Sequence, residues 1–119
     1  MESDIDKEEI NSEIEPEDLQ QKLDDGWKLV DVREDAEWMY GHHSEAEHIK
    51  MGDITDKLNL FEKNEKYVIV CRSGQRSGKV SEFLRTKDII SYNLLGGMKK
   101  LSNFSTEIIS SNGNPGTII

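Results

Sequence analysis

Cys71 is the only thiol in the sequence. One cysteine excludes an internal disulfide and fits a reducing compartment. It also means that any disulfide or sulfur chemistry at this position must be completed by an outside partner. No apolar stretch is long enough to span a bilayer, and no charged-then-apolar leader follows Met1, so no membrane association is expected and a cytoplasmic location follows. Basic residues are in deficit: 15 Lys and Arg stand against 24 Asp and Glu, for a formal net charge of −9. That balance argues against a general binder of nucleic acid or anionic membrane. No internal repeat is visible. A length of 119 residues sets one domain as the natural count, and a monomer is expected.

Against this acidic background one stretch stands apart. Tyr67-Val68-Ile69-Val70 is a short apolar run that stops at Cys71. Arg72-Ser73-Gly74-Gln75-Arg76-Ser77-Gly78 follows as a small, polar, basic loop. Val68, Ile69 and Val70 are continuous and β-branched, as in a buried parallel strand. Val80, Phe83 and Leu84 then recur at helical spacing, so the period changes across the loop. The thiol therefore sits where a strand ends and a helix begins. Free backbone N–H groups at a helix N-terminus carry partial positive charge, attract anions and favour a thiolate over a thiol. Arg72 and Arg76 add formal charge of the same sign. The expectation is a lowered pKa for Cys71 and an anion-binding loop around its sulfur. The bland alternative is that a lone cysteine at a strand end is a small buried hydrophobe. The adjoining glycines, serines and guanidinium groups favour a reactive role.

The rest of the chain reads as alternating strands and helices. Residues 1–12 are acidic and expected to be a disordered extension. The domain is placed at 13–104, and the Ser/Asn/Gly-rich residues 105–119 read as a tail. Pro16 to Leu23 reads as a short helix with Leu19 and Leu23 inward and Gly26 as its stop. Trp27 to Arg33 reads as a strand ending in an acid and a base. Asp31 and Arg33 lie where sites form in an open α/β sheet, and structural support of the site is the favoured role for both. Glu34 to His42 reads as a short helix closed by Gly41, with Trp38 in the core. His42, His43 and His48 invite a metal reading, but zinc wants cysteines or carboxylates at regular spacing, and Cys71 is distant. They are expected as loop or surface groups; no metal and no cofactor are expected. Glu45 to Ile49 reads as a short strand, and Asp53 to Phe61 as a helix with Ile54, Leu58 and Phe61 inward. Ile89 to Leu95 is another strand, broken by Gly96-Gly97, and Met98 to Leu101 begins a last helix. Ile118 and Ile119 have no assigned role. The alternation predicts an α/β fold with a mostly parallel sheet, which would bring the Asp31–Arg33 end close to the Cys71 loop.

These residues, in this order, resemble a single-domain rhodanese. Leu29-Val30-Asp31-Val32-Arg33-Glu34 resembles the family's first signature, and Glu37-Trp38 and Gly41-His42 follow at its spacing. Val70 to Ser77 resembles its active-site loop, and Leu95-Gly96-Gly97-Met98 the motif that opens its last helix. The likeness runs from about Ile14 to Leu101. Departures are local: His43, Glu45 and Lys50 stand where the family usually has isoleucine, glycine and proline, and Leu101 or Phe104 must fill the space of a tryptophan. The resemblance implies a three-layer fold of about five mostly parallel strands with helices on both faces. It also implies a sulfurtransferase in which a Cys71 thiolate takes the outer sulfur of a donor such as thiosulfate. The resulting persulfide then yields that sulfur to a nucleophilic acceptor, cyanide or a thiol, on a small molecule or a protein. Cys71 is the nucleophile, and Arg72, Ser73, Gly74, Gln75, Arg76 and Ser77 are the substrate-binding loop. The residues agree with this, since a dianionic donor suits a cradle of N–H groups and two arginines.

Two rivals stand beside this reading. A cysteine-loop phosphatase or arsenate reductase typically spaces its residues Cys-x5-Arg, whereas here the spacing is Cys-x4-Arg, a shorter loop that suits a sulfur atom better than a phosphate. The other rival is a non-enzymatic role as persulfide carrier, redox sensor or binding module; the intact cysteine argues against a pure scaffold, while catalyst and carrier both need a persulfidable Cys71.

Overall fold

A computed structural model describes residues 12–119. The acidic extension, apart from Ser12, lies outside the described residues. A five-stranded sheet runs through the centre in the order β1-β6-β5-β2-β4, and every pairing in it is parallel. Its strands are β1 (Glu13–Ile14), β2 (Lys28–Asp31), β4 (Ala46–His48), β5 (Lys66–Val70) and β6 (Ile90–Leu94). The helices are α1 (Leu19–Asp24), α2 (Asp35–Tyr40), α3 (Gln75–Thr86) and α4 (Gly97–Leu101). Two further short strands, β3 (His42–His43) and β7 (Ile108–Ile109), pair antiparallel in a separate ribbon.

β5 shows why the sheet is covered on both faces. Val68, Ile69 and Val70 are all fully buried. Side chains alternate between the faces of a strand, so a continuous apolar run requires apolar cover on each side. Tyr67, Ile69 and Cys71 join Val30, Val80, Leu84 and Phe61 in one core cluster, on the side of α3. Val68 and Val70 join Leu19, Leu23, Leu94, Met98 and Leu101 in the other, on the side of α1 and α4. The expected three-layer α/β architecture is present.

Several local expectations change in detail. The first helix opens as a 3-10 turn over Pro16–Asp18 before α1 begins. Asp53 to Phe61 is not one α-helix: 3-10 turns cover Met51–Asp53 and Thr55–Leu60, with a kink at Lys57. Ile54 and Phe61 are buried there and Leu58 packs against them, so the inward set is right although the helix type is not. Gly41 ends α2 in extended backbone rather than a left-handed turn, and its bare Cα lies against the backbone of Thr117.

Trp38 is not a core residue. It is half-buried, stacked with its ring centroid 3.6 Å from that of His42 and 4.6 Å from that of His48. Nor are His42 and His43 surface groups, because both are buried on β3, while His48 is half-buried on β4. His43 stands in the family's isoleucine place, and burial holds its pKa below the ordinary value. A neutral imidazole suits that position, and its Nδ1 accepts the Glu45 N–H at 3.0 Å. Of the two residues expected in the place of a tryptophan, Leu101 is buried at 2 % exposed and Phe104 is exposed.

Residues 105–119 fold back on the domain. β7 pairs with β3, and Thr117 N–H donates to the Tyr40 carbonyl at 2.8 Å. Ile118 packs on the second core cluster, and the Ile119 carbonyl accepts from Arg72 Nε at 2.7 Å.

Candidate active site

Parallel pairing places the C-terminal ends of β2 and β5 side by side, with Asp31 opposite Val70. Just beyond those ends the chain leaves the sheet, and the candidate residues gather there, as expected for an open α/β sheet.

Cys71 follows β5 directly, and α3 starts four residues later. The turn between them depends on Gly74, which has φ +106°. Only glycine adopts that conformation without a side-chain penalty. The loop thereby curls around the sulfur. Gly74 N–H donates to Sγ at 3.1 Å, and the Ser77 hydroxyl lies 3.2 Å from it. Cys71 is only 1 % exposed. Burial pushes the thiol pKa up, but the Ser77 hydroxyl and the backbone N–H groups of Ser77, Gly74 and Ser73 pull it further down. The net effect is a pKa below the ordinary thiol value.

The loop rests on α4. Met98 N–H donates to the Cys71 carbonyl at 2.8 Å, and Lys99 N–H to the Arg72 carbonyl at 3.0 Å. Orphan donors of one helix N-terminus thus satisfy the carbonyls of the loop that caps another. Gly97 makes this approach possible, since a Cβ there would lie 2.6 Å from the Cys71 carbonyl oxygen and closer still to that of Arg72.

The two arginines have partners. Arg76 donates both terminal nitrogens to the Glu37 carboxylate at 2.8 Å each, a bidentate pair between α3 and α2. The Arg76 hydrogen bond is the main reason that Glu37 is lowered from 4.5 to about 2. Arg72 is half-buried and turned toward Ile119. Of the other loop residues, Ser73 and Gln75 are exposed and Ser77 is buried.

Asp31 and Arg33 are fully buried and form a fork: Arg33 Nε donates to Asp31 Oδ1 at 2.9 Å, and Nη2 to Oδ2 at 2.7 Å. Nη2 also donates to the Gly41 carbonyl at 2.6 Å. The pair therefore ties the end of β2 to the end of α2, the helix that carries Glu37.

Asn93 is a member of the site that sequence reasoning did not find. Its Oδ1 lies 2.5 Å from Ser77 Oγ and shares that residue's single hydroxyl hydrogen with the Cys71 sulfur, and its Nδ2 donates to the Gly74 carbonyl at 3.1 Å. It braces both groups that bond to the Cys71 sulfur. Nothing local marks it, because it lies inside an ordinary strand pattern. Glu37 was visible only as part of a motif, and its partner lies 39 residues away.

The "Putative sulfurtransferase YtwF" of Bacillus subtilis strain 168 is 41 % identical over 88 residues, covering 72 % of this chain and 85 % of that one. The "Putative sulfur carrier protein YrkF" of the same organism is 30 % identical over 93 residues, covering 76 % of this chain and 45 % of that one. The crystal structure of a rhodanese-like domain protein from Staphylococcus aureus superposes with a TM-score of 0.72 at 41 % identity, covering 76 % of this chain and 90 % of that one. The model of the rhodanese-like domain matches residues 15–104. The chain therefore belongs to the rhodanese-like domain family.

Proposed function

We propose that this protein passes sulfane sulfur through a persulfide on Cys71. Membership of the family and the names of YtwF and YrkF support sulfur transfer in general. The finer reading takes thiosulfate as donor. The Cys71 thiolate attacks the outer sulfur, a new S–S bond forms as the old one breaks, and sulfite leaves. An acceptor, cyanide or a thiol, then takes that sulfur and Cys71 departs as a thiolate. The observation that carries this reading is the sulfur itself, held by Gly74 N–H and the Ser77 hydroxyl, with its pKa lowered. The same donors suit a persulfide anion, because they are in place before charge develops on it. A reducing, cytoplasmic setting fits a free thiolate nucleophile.

A second reading, a persulfide carrier with little turnover, has its own support. The Glu37 carboxylate balances the Arg76 charge, which leaves the loop less cationic toward a dianion. Intact mass after incubation with thiosulfate tests both readings. The expected result is a gain of one sulfur atom, lost on adding cyanide or dithiothreitol, and no gain in Cys71→Ala. Loading without turnover favours the carrier. Full activity in Cys71→Ala refutes the mechanism.

A further inference from the structure

The charge of this protein is unevenly distributed. No Asp or Glu lies between Cys71 and Ser81, or between Leu95 and Thr106, in a chain of net charge −9. Those two segments are the ones that meet at the site. Lys99 N–H bonds the Arg72 carbonyl, and the Lys100 methylenes lie across Gly96. Gly96 in turn sits beneath Gly74, the N–H donor to the sulfur. Lys79 is one turn beyond Arg76 on α3. Lys79, Lys99 and Lys100 are exposed, and none takes part in an ion pair among the described residues. Among the described residues, Glu37 is spent on Arg76, Glu13 reaches Asn93 Nδ2 at 3.4 Å, and Glu82 follows Lys79 by three residues on α3.

From this we infer that Lys79, Lys99 and Lys100, with Arg72, form a docking rim for an acidic protein segment that presents the acceptor cysteine; this rests on the sulfur-transfer reading above. A small sulfur acceptor has no use for lysines beyond the loop that holds the sulfur. A protein partner does, because an acidic body repels most acidic surfaces and a local basic rim selects and orients the one segment that must enter. Burial of Cys71 narrows the partner further. The incoming cysteine must be carried on a narrow, protruding stretch of chain, since a flat surface cannot bring its thiol to a sulfur at the floor of a loop. The persulfide helps by extending the reactive atom about 2 Å outward. In the transfer, the acceptor thiolate attacks the outer sulfur of Cys71–S–SH. The new S–S bond forms as the old one breaks, Cys71 leaves as a thiolate, and the proton remains with the transferred sulfur. No net electrons are exchanged.

The test uses the full chain and two synthetic peptides, each with one cysteine, flanked in one case by Asp and Glu and in the other by Lys. Cys71 is loaded with sulfur, and transfer to each peptide is followed by mass. The acidic peptide should react about tenfold faster at low salt, with the gap closing as salt is raised. In the variant K79E/K99E/K100E, with folding checked by thermal melt, the preference should vanish or reverse. Equal rates for the two wild-type peptides overturn the proposal. So does an unchanged preference in a folded variant. If the triple variant does not fold, K79E and K99E are tested singly, and each should reduce the preference. Should Cys71 fail to load, the sulfur-transfer reading falls separately. The rim is then tested by exchange of the Cys71 thiolate with pyridyl disulfides of the same peptides, which needs no persulfide. The acidic peptide should again lead, and equal exchange rates overturn the rim.

Discussion

Arg76 and Glu37 meet through two hydrogen bonds of 2.8 Å, joining the first turn of α3 to the middle of α2. The guanidinium is therefore not a free charge waiting for an anion. It fixes α2 against the loop that carries the sulfur.

That pair sets a pH dependence. The Glu37 pKa is about 2 when folded against 4.5 ordinarily, a depressed value. Its stabilisation is full above the unfolded value and is lost as pH falls from about 4.5 to about 2. Glu37→Gln should cost about 1 kcal/mol near neutrality, reduced from the full linkage value because Arg76 is partly exposed. Near pH 2 the variant and the parent should be equally stable. Urea unfolding at pH 7, 4 and 2 checks this, and a constant difference across that range would rule out the ion pair as its cause.

Ser77→Ala should raise the pKa of Cys71. The variant loses the hydroxyl 3.2 Å from the sulfur, while the burial that opposes ionisation remains. The rate of alkylation by iodoacetamide, measured against pH, should rise at higher pH in the variant than in the parent. Coincident curves would assign the lowered pKa to the backbone N–H groups alone.

Gly97→Ala places a methyl group against the Cys71 and Arg72 carbonyls, at a residue with φ +64°. Both the contact and the conformation are unfavourable, and the loss should be about 1–3 kcal/mol. A thermal melt gives the stability. Alkylation of Cys71 shows whether the loop has moved. A variant as stable as the parent would mean that α4 retreats without cost.

Arg33→Ala removes one partner of a fully buried pair and leaves the Asp31 carboxylate uncompensated. Such losses cost about 3–5 kcal/mol. Chemical denaturation measures the loss, and the double variant Asp31→Ala/Arg33→Ala should recover part of it. A double variant worse than the sum of the single ones would contradict the account of an uncompensated charge.

Local order in this protein follows from short-range pattern. The run Val68–Val70 demands cover on two faces, the spacing of Val80 and Leu84 demands a helix, and the glycine-rich turn between them brings the thiol to a helix start. Each is a property of neighbouring residues, so each was legible in the sequence, and the parallel α/β sheet followed from their alternation. What the sequence did not reveal is which distant groups meet. Glu37 on Arg76, Asn93 behind Ser77, Gly97 beneath Cys71, the burial of His43 and the return of Ile119 to Arg72 all depend on how strands and helices lie side by side. A charge finds its partner, and a backbone its closest neighbour, only after the chain has packed. The thiol was therefore written in the sequence, whereas the network that lowers its pKa was decided by tertiary structure.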